Sequence, residues 1–476
     1  SGLADDLLDG IDRLRSGASE AFDPVLRLGV TGLSGAGKSV FITAVIASLL
    51  SRERLRMMPA ASNGRIAGAM LRPHPEAGVP RFPFEAHRAA LQATEPAWPP
   101  STRGVSQIRV ALRIARQGFA AGLMGAVTEP LVGPRILNLD ITDYPGEWLL
   151  DLPLLDQDYE TWAAAALAAA ETAPRRQHAA AWHAALAAAD PAAAHDESTA
   201  AGLAEAYRTY LWACRADGLS ALAPGRFLMP GDMAGAPALA FVPLPRPEGG
   251  AKRRSGSLRA EMARRFEAYK QLVVKPFFRA HFARLDRQVV LVDVLGALTG
   301  GPAALSDLQA AMAETLACFR HGRSGWLDQL LGQRRIDRIL FASSKADLVP
   351  HGDHDRLSAL TQAMLADATG RAAFRGAKVK GMAIAAVRAT AEQEITRNGE
   401  PLPVLRGQRA DGREIGFFPG SLPEDPAALL HGHWPEGGEA EAAFARPQLA
   451  PPRWNGGGPP HLRLDRALDW VIGDKL

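Results

Sequence analysis

The sequence predicts an α/β fold in which helices flank a mostly parallel sheet and a helical segment is inserted. Three patterns predict it. An apolar stretch at residues 25–30 precedes a glycine-rich turn and an apolar helical stretch at 40–50, an order with which many α/β domains begin. Further apolar stretches then alternate with helical ones along the chain. An alanine-rich middle section, which favours helix, interrupts this alternation.

The remaining elements follow in chain order. Residues 51–100 are rich in Pro, Arg and Gly and show no period, so we expect an irregular insertion there. Residues 106–114 alternate apolar with polar side chains, as in a half-exposed strand, and residues 135–141 form the next strand. Later strands are predicted at 289–294, 338–342 and 379–386, and helices at 305–319, 357–368 and 461–472, which gives a sheet of about six strands.

The glycine-rich turn matches the pattern G-x-x-x-x-G-K-S from Gly32 to Ser39 with no departure. Its glycines let backbone N–H groups turn inward around phosphate oxygens, and the N-terminus of the following helix faces the same anion. Lys38 is expected to reach the β- and γ-phosphates, and Ser39 to place its hydroxyl on Mg²⁺. The nucleotide-binding residues predicted in this loop are Ser34, Gly35, Ala36, Gly37, Lys38, Ser39 and Val40.

The turn after residues 135–141 is predicted to complete the phosphate site. A phosphate loop needs a carboxylate at a neighbouring strand end for Mg²⁺ and a backbone N–H for the γ-phosphate. Asp143 is predicted to serve the metal and the Gly146 N–H the phosphate, with Asp140 as the second choice for the metal. Glu147 stands where small GTPases have the glutamine that orients water, and its charge would repel the γ-phosphate. We therefore expect slow intrinsic turnover or a catalytic group from elsewhere.

The loop after residues 338–342 is predicted to recognise the base. Ser344-Lys-Ala-Asp347 matches [NT]-K-x-D with serine in the first place, a departure that weakens the prediction of guanine more than that of a nucleotide. Asp347 would accept from N1–H and the 2-amino group of guanine, a pair of donors that adenine lacks. The aliphatic stem of Lys345 would lie over the base plane. Ala386 and Val387 are expected to bring a backbone amide to the guanine oxygen.

A mobile threonine before the strand at 106–114 is expected to join Mg²⁺ only when a γ-phosphate is present. Thr102 is predicted to do this, with Ser101 as the alternative. Arg103 is read either as an internal arginine that neutralises transition-state charge or as an ordinary surface residue. The predicted catalytic residues are Lys38, Thr102, Gly146 and Glu147, and the predicted metal ligands are Ser39, Thr102 and Asp143.

Composition excludes several classes of protein. Of the 476 residues 47% are hydrophobic and 22% charged, which excludes disorder of the whole chain. The 54 basic and 51 acidic residues leave a net charge of +3, too small for a protein that coats nucleic acid, so no nucleic-acid partner is expected. Cys214 and Cys318 cannot form a disulfide framework, and no apolar stretch reaches the roughly 20 residues that cross a bilayer. We therefore expect a cytoplasmic protein.

The composition shifts between residues 156 and 286. Alanine-rich stretches there predict a helical insertion domain at 156–286, within a nucleotide-binding domain formed by residues 1–155 and 287–476. The segment 252–287 holds eleven Lys or Arg and three acids. It is read either as the solvated face of long helices or as a contact for acidic lipid, a partner or RNA.

Four stretches together resemble the YcjX-like family of bacterial, stress-associated P-loop GTPases: residues 30–43, 143–153, 344–347 and 464–476. The stretch Asp-Tyr-Pro-Gly-Glu-Trp-Leu-Leu-Asp-Leu-Pro at 143–153 is far more specific than a phosphate loop. The resemblance spans nearly the full chain and implies a Ras-like core with a helical insertion. It also implies nucleotide and Mg²⁺ roles for residues 35–39, Thr102, Asp143, Gly146 and Asp347.

The predicted function is Mg²⁺-dependent hydrolysis of GTP to GDP in a stress-related regulatory role. Contacts to the γ-phosphate would move switch segments against the helical insertion and so couple the nucleotide state to an unknown protein effector. Two alternatives remain open: a nucleotide-gated scaffold with negligible turnover, and a P-loop NTPase or kinase that uses ATP. A peripheral membrane contact has no support in the sequence.

Overall fold

The computed structural model describes residues 23–33, 35–101, 104–115, 135–246, 255–319, 336–370, 377–397, 399–434, 446–454 and 456–476. Its main sheet has seven strands: β1 (Val25–Gly32), β2 (Ile66–Arg72), β3 (Ser106–Ile114), β4 (Arg135–Asp143), β5 (Arg287–Val292), β6 (Arg338–Ser343) and β7 (Lys378–Ala383). Their order is β2-β3-β4-β1-β5-β6-β7. The fold is therefore α/β around a mixed sheet, as the sequence predicts.

Five of these strands, β4-β1-β5-β6-β7, are parallel, and β3 and β2 continue the sheet antiparallel at one edge. Parallel strands are covered on both faces and are therefore continuously apolar, and every residue of β5 is buried. The carboxyl ends of parallel strands meet at one edge of the sheet, and this is where ligands bind in open α/β sheets.

The sheet has one strand more than the sequence predicts. The additional strand, β2, lies in the segment 51–100, which was expected to be irregular. It is an edge strand whose residues are mostly half-buried or exposed and show no alternation, and it contains Gly68 at an irregularity in its pairing with β3. Period-two patterns arise from one buried face, so an edge strand of this kind carries little signal in the sequence.

Helices cover both faces of the sheet. They are α1 (Lys38–Ser51), α2 (Pro59–Ser62), α3 (Phe84–Gln92), α4 (Tyr159–Ala170), α5 (Ala180–Ala188), α6 (Glu197–Ala216), α7 (Gly225–Leu228), α8 (Leu258–Tyr269), α9 (Lys275–Ala280), α10 (Val294–Thr299), α11 (Gly301–Ala317), α12 (His354–Gly370) and α13 (Leu464–Ile472). Apolar side chains of α1, α3 and α13 form one hydrophobic core with one face of the sheet. The other face packs with α11, α12 and the helices inserted between β4 and β5.

The inserted helices, α4 to α9, are built around aromatic side chains. Trp162 stacks on Phe266 with ring centroids 5.0 Å apart, and Trp182 stacks on Tyr210 at the same distance. Such pairs add to the hydrophobic burial of large rings. A 3-10 segment, Gly146–Asp156, connects β4 to these helices. The division into a helical domain at 156–286 and a second domain stays a prediction.

Residues after the last strand of the main sheet form a second, antiparallel sheet of three strands. They are β8 (Thr390–Arg397), β9 (Glu400–Gln408) and β10 (Glu414–Phe417), in the order β10-β9-β8. β8 begins a few residues after β7, so this small sheet adjoins the carboxyl edge of the main sheet.

Candidate functional site

The loop between β1 and α1 has the backbone conformation of a phosphate cradle. Gly35 and Gly37 have φ angles of +73° and +77°, in the left-handed region that favours glycine. A Cβ on Gly37 would meet none of the described atoms within 4 Å, so the loop is open at this point. The N–H of Leu33 donates to the Leu291 carbonyl at 3.0 Å and attaches the loop to β5. Ser34 lies outside the described residues.

Lys38 and Asp143 meet at the carboxyl edge of the sheet. Lys38 Nζ lies 2.8 Å from Asp143 Oδ1, with 10% and 1% of the two side chains exposed. Within the described part of the chain, neither atom has a well-aligned hydrogen-bond partner. Buried charged groups normally satisfy their hydrogen-bonding capacity, so this ammonium and carboxylate fit a phosphate group and a hydrated cation.

Ser39, the first residue after Lys38 in α1, faces the segment that leads into β3. Its Oγ donates to the Pro100 carbonyl at 3.1 Å. The structure thus brings the residue predicted to hold Mg²⁺ to the chain just before the predicted switch. Thr102 and Arg103 lie outside the described residues, and the alternative, Ser101, is exposed.

Asp140, the second choice for the metal, is bound by another side chain. Arg109 Nε and Nη2 donate to its two carboxylate oxygens at 2.6 and 2.7 Å. Burial raises the pKa of Asp140, but hydrogen bonds from Arg109 and His74 outweigh it and leave that pKa below its ordinary value. Because side chains alternate along a strand, Asp140 and Asp143 lie on opposite faces of β4. Asp143 alone of the two lies beside Lys38.

Gly146 lies directly against the phosphate loop. A Cβ on Gly146 would be 2.5 Å from the Gly32 carbonyl oxygen, so only glycine allows this approach. The same turn is attached to β1 by Thr31, whose Oγ1 donates to the Tyr144 carbonyl at 3.0 Å. Tyr144 is itself buried and donates from its hydroxyl to Gln288 Oε1 at 2.7 Å. These contacts fix the position of the turn relative to the phosphate loop.

Glu147 is bound by the inserted helices. Its Oε1 lies 2.8 Å from Arg215 Nη2 on α6, and both side chains are largely buried. Gly225, at the start of α7, packs against the Glu147 main chain, where an added Cβ would come within 2.0 Å of the carbonyl oxygen. The charge expected to repel the γ-phosphate is therefore neutralised by an arginine that the sequence did not indicate.

Asp347 is buried and contacts the chain that follows β7. Ala389 N–H donates to Asp347 Oδ2 at 2.7 Å. Burial raises the pKa of Asp347 to about 6, and the hydrogen bond from Ala389 opposes that rise. Ser344, in the place of the usual Asn or Thr, donates from Oγ to the Val292 carbonyl at 3.3 Å. The serine thus holds the base loop against β5.

Ala386 and Val387 lie between β7 and β8, with Ala386 half-buried and Val387 buried. The residue of this segment that contacts Asp347 is Ala389, three positions after Ala386. Ala346 N–H donates to the Ile384 carbonyl at 3.0 Å and fastens the base loop to the same segment. The structure therefore brings the two predicted base-binding segments together.

Part of the basic segment 252–287 is buried. Arg259, Arg265 and Arg287 are buried, and each is paired with acids: Arg259 with Glu160, Arg265 with Glu197 and Glu261, and Arg287 with Asp337 and Asp474. The interpretation as a solvated face is wrong at these three positions, because neighbouring elements supply the carboxylates. Residues 252–254 lie outside the described part of the chain.

Clusters of metal-ligating side chains and membrane-spanning helices are both absent from the described residues. No cluster of three or more His, Cys, Asp or Glu side chains in these residues is arranged to hold a metal ion. Mg²⁺ needs no such cluster, because one or two protein ligands, phosphates and water complete its shell. Among the described helices, none has the length and hydropathy that a membrane span requires.

The mostly parallel sheet, with a glycine-rich turn after its first strand, is the fold of a Ras-like α/β protein. The chain belongs to the YcjX-like family, because the family model described as "YcjX-like family, DUF463" matches residues 26–476. A protein named Ras-like GTPase YcjX from Escherichia coli strain K12 is 39% identical over 477 positions, which cover 98% of this chain and 99% of that protein. A protein of the same name from Shewanella oneidensis strain MR-1 is 35% identical over 478 positions, covering 95% of each.

Proposed function

We propose that this chain binds GTP with Mg²⁺ and hydrolyses it to GDP. The observation that carries the proposal is the buried pair of Lys38 and Asp143 at the carboxyl edge of the sheet, where both groups keep unused hydrogen-bonding capacity. The names of the two relatives, each a Ras-like GTPase, support the same conclusion.

The phosphates would be held by the backbone amides of residues 34–40 and by Lys38, whose charge offsets that of the phosphate oxygens. Ser39, Thr102 and Asp143 would hold Mg²⁺, which when bound neutralises charge that develops on the phosphates. The Gly146 N–H would contact the γ-phosphate, because the contact with Gly32 keeps this residue at the phosphate loop.

Guanine would be recognised by the segment that contains Ser344, Lys345 and Asp347, together with Ala386 and Val387. The Ala389 N–H donates to Asp347 Oδ2 and so orients the carboxylate before a base binds. A buried carboxylate that must accept two hydrogen bonds discriminates strongly against a base that lacks those donors. Because adenine lacks these donors, a kinase that uses ATP is the less favoured function.

The Glu147–Arg215 contact supports a coupling between nucleotide state and the helical domain proposed at residues 156–286. Gly146 would respond to the γ-phosphate, and the next residue is bound to α6, so displacement of one displaces the other. An effector would then read the position of the helical domain. The cytoplasmic location and the stress-related role rest on composition and family resemblance.

One observation favours a second function, a nucleotide-gated scaffold with negligible turnover. The Glu147 carboxylate pairs with Arg215, which leaves it poorly placed to orient a water molecule. In that case the chain binds GTP and GDP and changes conformation, but hydrolysis awaits a catalytic group from a partner.

Hydrolysis of GTP by the purified chain, with Mg²⁺ and with EDTA, tests the proposal, and ATP competition tests the base. Lys38→Ala should lower Mg²⁺-dependent hydrolysis by about 100-fold or more. Lys275→Ala is the control, because this half-buried lysine on α9 bonds only to the neighbouring Gln271 in the described contacts. Tight binding without turnover would favour the scaffold. Full hydrolysis by Lys38→Ala, or equal competition by ATP, would contradict the proposal.

A further inference from the structure

Both loops of the proposed nucleotide site are attached to the carboxyl end of β5. The phosphate loop is attached by the Leu33 N–H, which donates to Leu291, and the base loop by the Ser344 N–H, which donates to the Val292 carbonyl at 2.9 Å. β5 ends at Val292. The next residue, Asp293, therefore comes directly after the two carbonyl groups to which the loops are attached. No sequence motif includes Asp293.

The Asp293 carboxylate contacts the base loop and a helix, and it lies near the phosphate loop. Its Oδ1 accepts from the Gly296 N–H at 2.8 Å and caps α10. Its Oδ2 accepts from Lys345 Nζ. The same Oδ2 would lie 3.9 Å from a Cβ built on Gly35, so the carboxylate is near the phosphate loop. A Cβ on Gly296 would be 2.9 Å from Asp293 Cγ, so a glycine at 296 permits this arrangement.

Lys345 is held in a conformation that needs outside support. Its φ is +61°, in the left-handed region, although it is not a glycine. Such a conformation persists where surrounding contacts fix it. Main-chain contacts of its neighbours Ser344 and Ala346 fix the backbone, and the ion pair with Asp293 fixes the side chain.

We propose that Asp293 is a positioning residue for the nucleotide. Its ion pair draws the Lys345 ammonium towards the phosphate loop, so that the aliphatic stem lies where the base plane will rest. This sets the distance between the base-binding and phosphate-binding loops. The inference rests on the proposed function, because it assumes that these loops bind a guanine nucleotide. It requires an effect common to GDP and GTP, since Asp293 does not act through the γ-phosphate.

The substitution Asp293→Asn separates positioning from helix capping. Asparagine caps a helix about as well as aspartate, so α10 keeps its cap while the charge on Lys345 loses its partner. Release of fluorescent GDP and of fluorescent GTP from the purified full chain should accelerate by about 10-fold, to a similar extent for both nucleotides. The unfolding temperature without nucleotide should stay within about 2 °C of the wild type. Asp196→Asn is the matched control, because Asp196 caps α6 through the Thr199 N–H in the same way.

Salt provides a second readout that a purely structural role does not move. Potassium chloride screens the ion pair, so it should accelerate GDP release from the wild type towards the rate of Asp293→Asn and change the variant less. Wild-type release rates in Asp293→Asn would overturn the inference, and so would a loss of stability as large as that of Asp293→Ala. Failure of the wild-type chain to bind GDP at all would overturn the proposed function itself and is seen before any variant is made.

Discussion

Glu147 and Arg215 form an ion pair that joins the turn after β4 to the inserted helix α6 across 2.8 Å. Both side chains are largely buried, so the pair is not comparable to the exposed pairs on the surface, whose contributions are small. Removal of either charged side chain would leave the other charge buried without a partner. The pair therefore makes the position of Glu147, next to the residue proposed to contact the γ-phosphate, depend on the inserted helices.

Removal of Arg215 should cost more than removal of the charge of Glu147. Arg215→Ala leaves a buried carboxylate without its partner, and we expect the free energy of unfolding to fall by about 3 kcal/mol. Glu147→Gln keeps the packing and should cost less, and the double variant should cost less than the sum of the two. Urea unfolding of the four proteins measures this.

Arg264→Ala is the control for loss of a guanidinium, because Arg264 is exposed and pairs with Glu261 at the surface. Its cost should stay within about 1 kcal/mol. Additive costs of the Arg215 and Glu147 substitutions would show that the two charges do not depend on each other.

Gly146→Ala should disrupt the proposed phosphate site without unfolding the chain. The new methyl would be 2.5 Å from the Gly32 carbonyl oxygen, so the turn and the phosphate loop must separate. We expect affinity for GTP to fall by about 10-fold or more, because a donor displaced by roughly 1 Å loses most of its hydrogen bond. Equilibrium binding of a fluorescent GTP analogue measures the loss.

Gly202→Ala is the matched control for Gly146→Ala. Gly202 lies within α6, and a Cβ there meets none of the described atoms within 4 Å. This control should bind GTP as the wild type does and gain up to about 1 kcal/mol of stability, since alanine is the better helix former. Unchanged GTP affinity in Gly146→Ala would contradict the close contact between the turn and the phosphate loop.

Most elements of the main sheet could be predicted because each carries its own local pattern. β3 alternates apolar and polar side chains, β5 is continuously apolar, and Gly35 and Gly37 mark a turn that only a left-handed backbone can make. These signals depend on residues within one element, so no knowledge of the tertiary fold was needed. β2 was not predicted, because an exposed edge strand does not bury one face regularly and so shows no alternating pattern.

The missed residues of the site contact positions distant in the chain. Arg215 meets a residue 68 positions away, and Ala389 meets Asp347 over 42. The sequence holds 51 acidic residues, and no local pattern distinguishes Asp293 from the others. Its role becomes visible only in the fold, where its carboxylate accepts from Lys345. Patterns in a single sequence report on residues that are close along the chain. These pairs are brought together by tertiary packing, so such patterns cannot predict them. The proposed site residues themselves stay predictions until a nucleotide is bound.

Protonation of Asp347 should weaken guanine binding in mild acid. Burial raises the pKa of Asp347 to about 6, and a protonated carboxyl cannot accept from two N–H groups. Affinity for GDP should be flat above about pH 7 and fall up to about tenfold per pH unit below about pH 6. In the unliganded protein the sign is opposite: a raised pKa contributes stability below the ordinary value of 3.8 that is lost as pH rises through about 6.

Titration of GDP binding to the wild type and to Asp347→Asn checks the assignment. The variant should lose the acid-dependent step, and its preference should move from guanine towards xanthine, because the amide donates to the 2-carbonyl. A step of the same size in Asp347→Asn would assign the titration to another group and remove Asp347 from base recognition.

Asp151→Asn should stabilise the protein at neutral pH. Asp151 is fully buried where the inserted helices meet the 3-10 segment, and it accepts from the Gly225 N–H at 2.7 Å and from the Tyr269 hydroxyl at 2.5 Å. Burial raises the pKa of Asp151 to about 6, against which these hydrogen bonds act. An asparagine there keeps the carbonyl acceptor for Gly225, and its amide can donate to the Tyr269 oxygen. The Tyr269 O–H loses its acceptor, but we expect removal of the buried charge to outweigh this loss.

The pH dependence of this gain has a definite sign. A carboxyl whose pKa is raised from 3.8 to about 6 on folding contributes stability below the lower value and loses it as pH rises through the higher one. The wild type therefore loses up to about 3 kcal/mol between about pH 4 and pH 7 from this group, and Asp151→Asn does not. Urea unfolding at several pH values should show the difference growing in favour of the variant. Asp411→Asn, at an exposed loop position, should show no such trend. A variant less stable than the wild type at pH 7 would mean that nearby Arg226 holds the ionised carboxylate strongly enough to offset its burial.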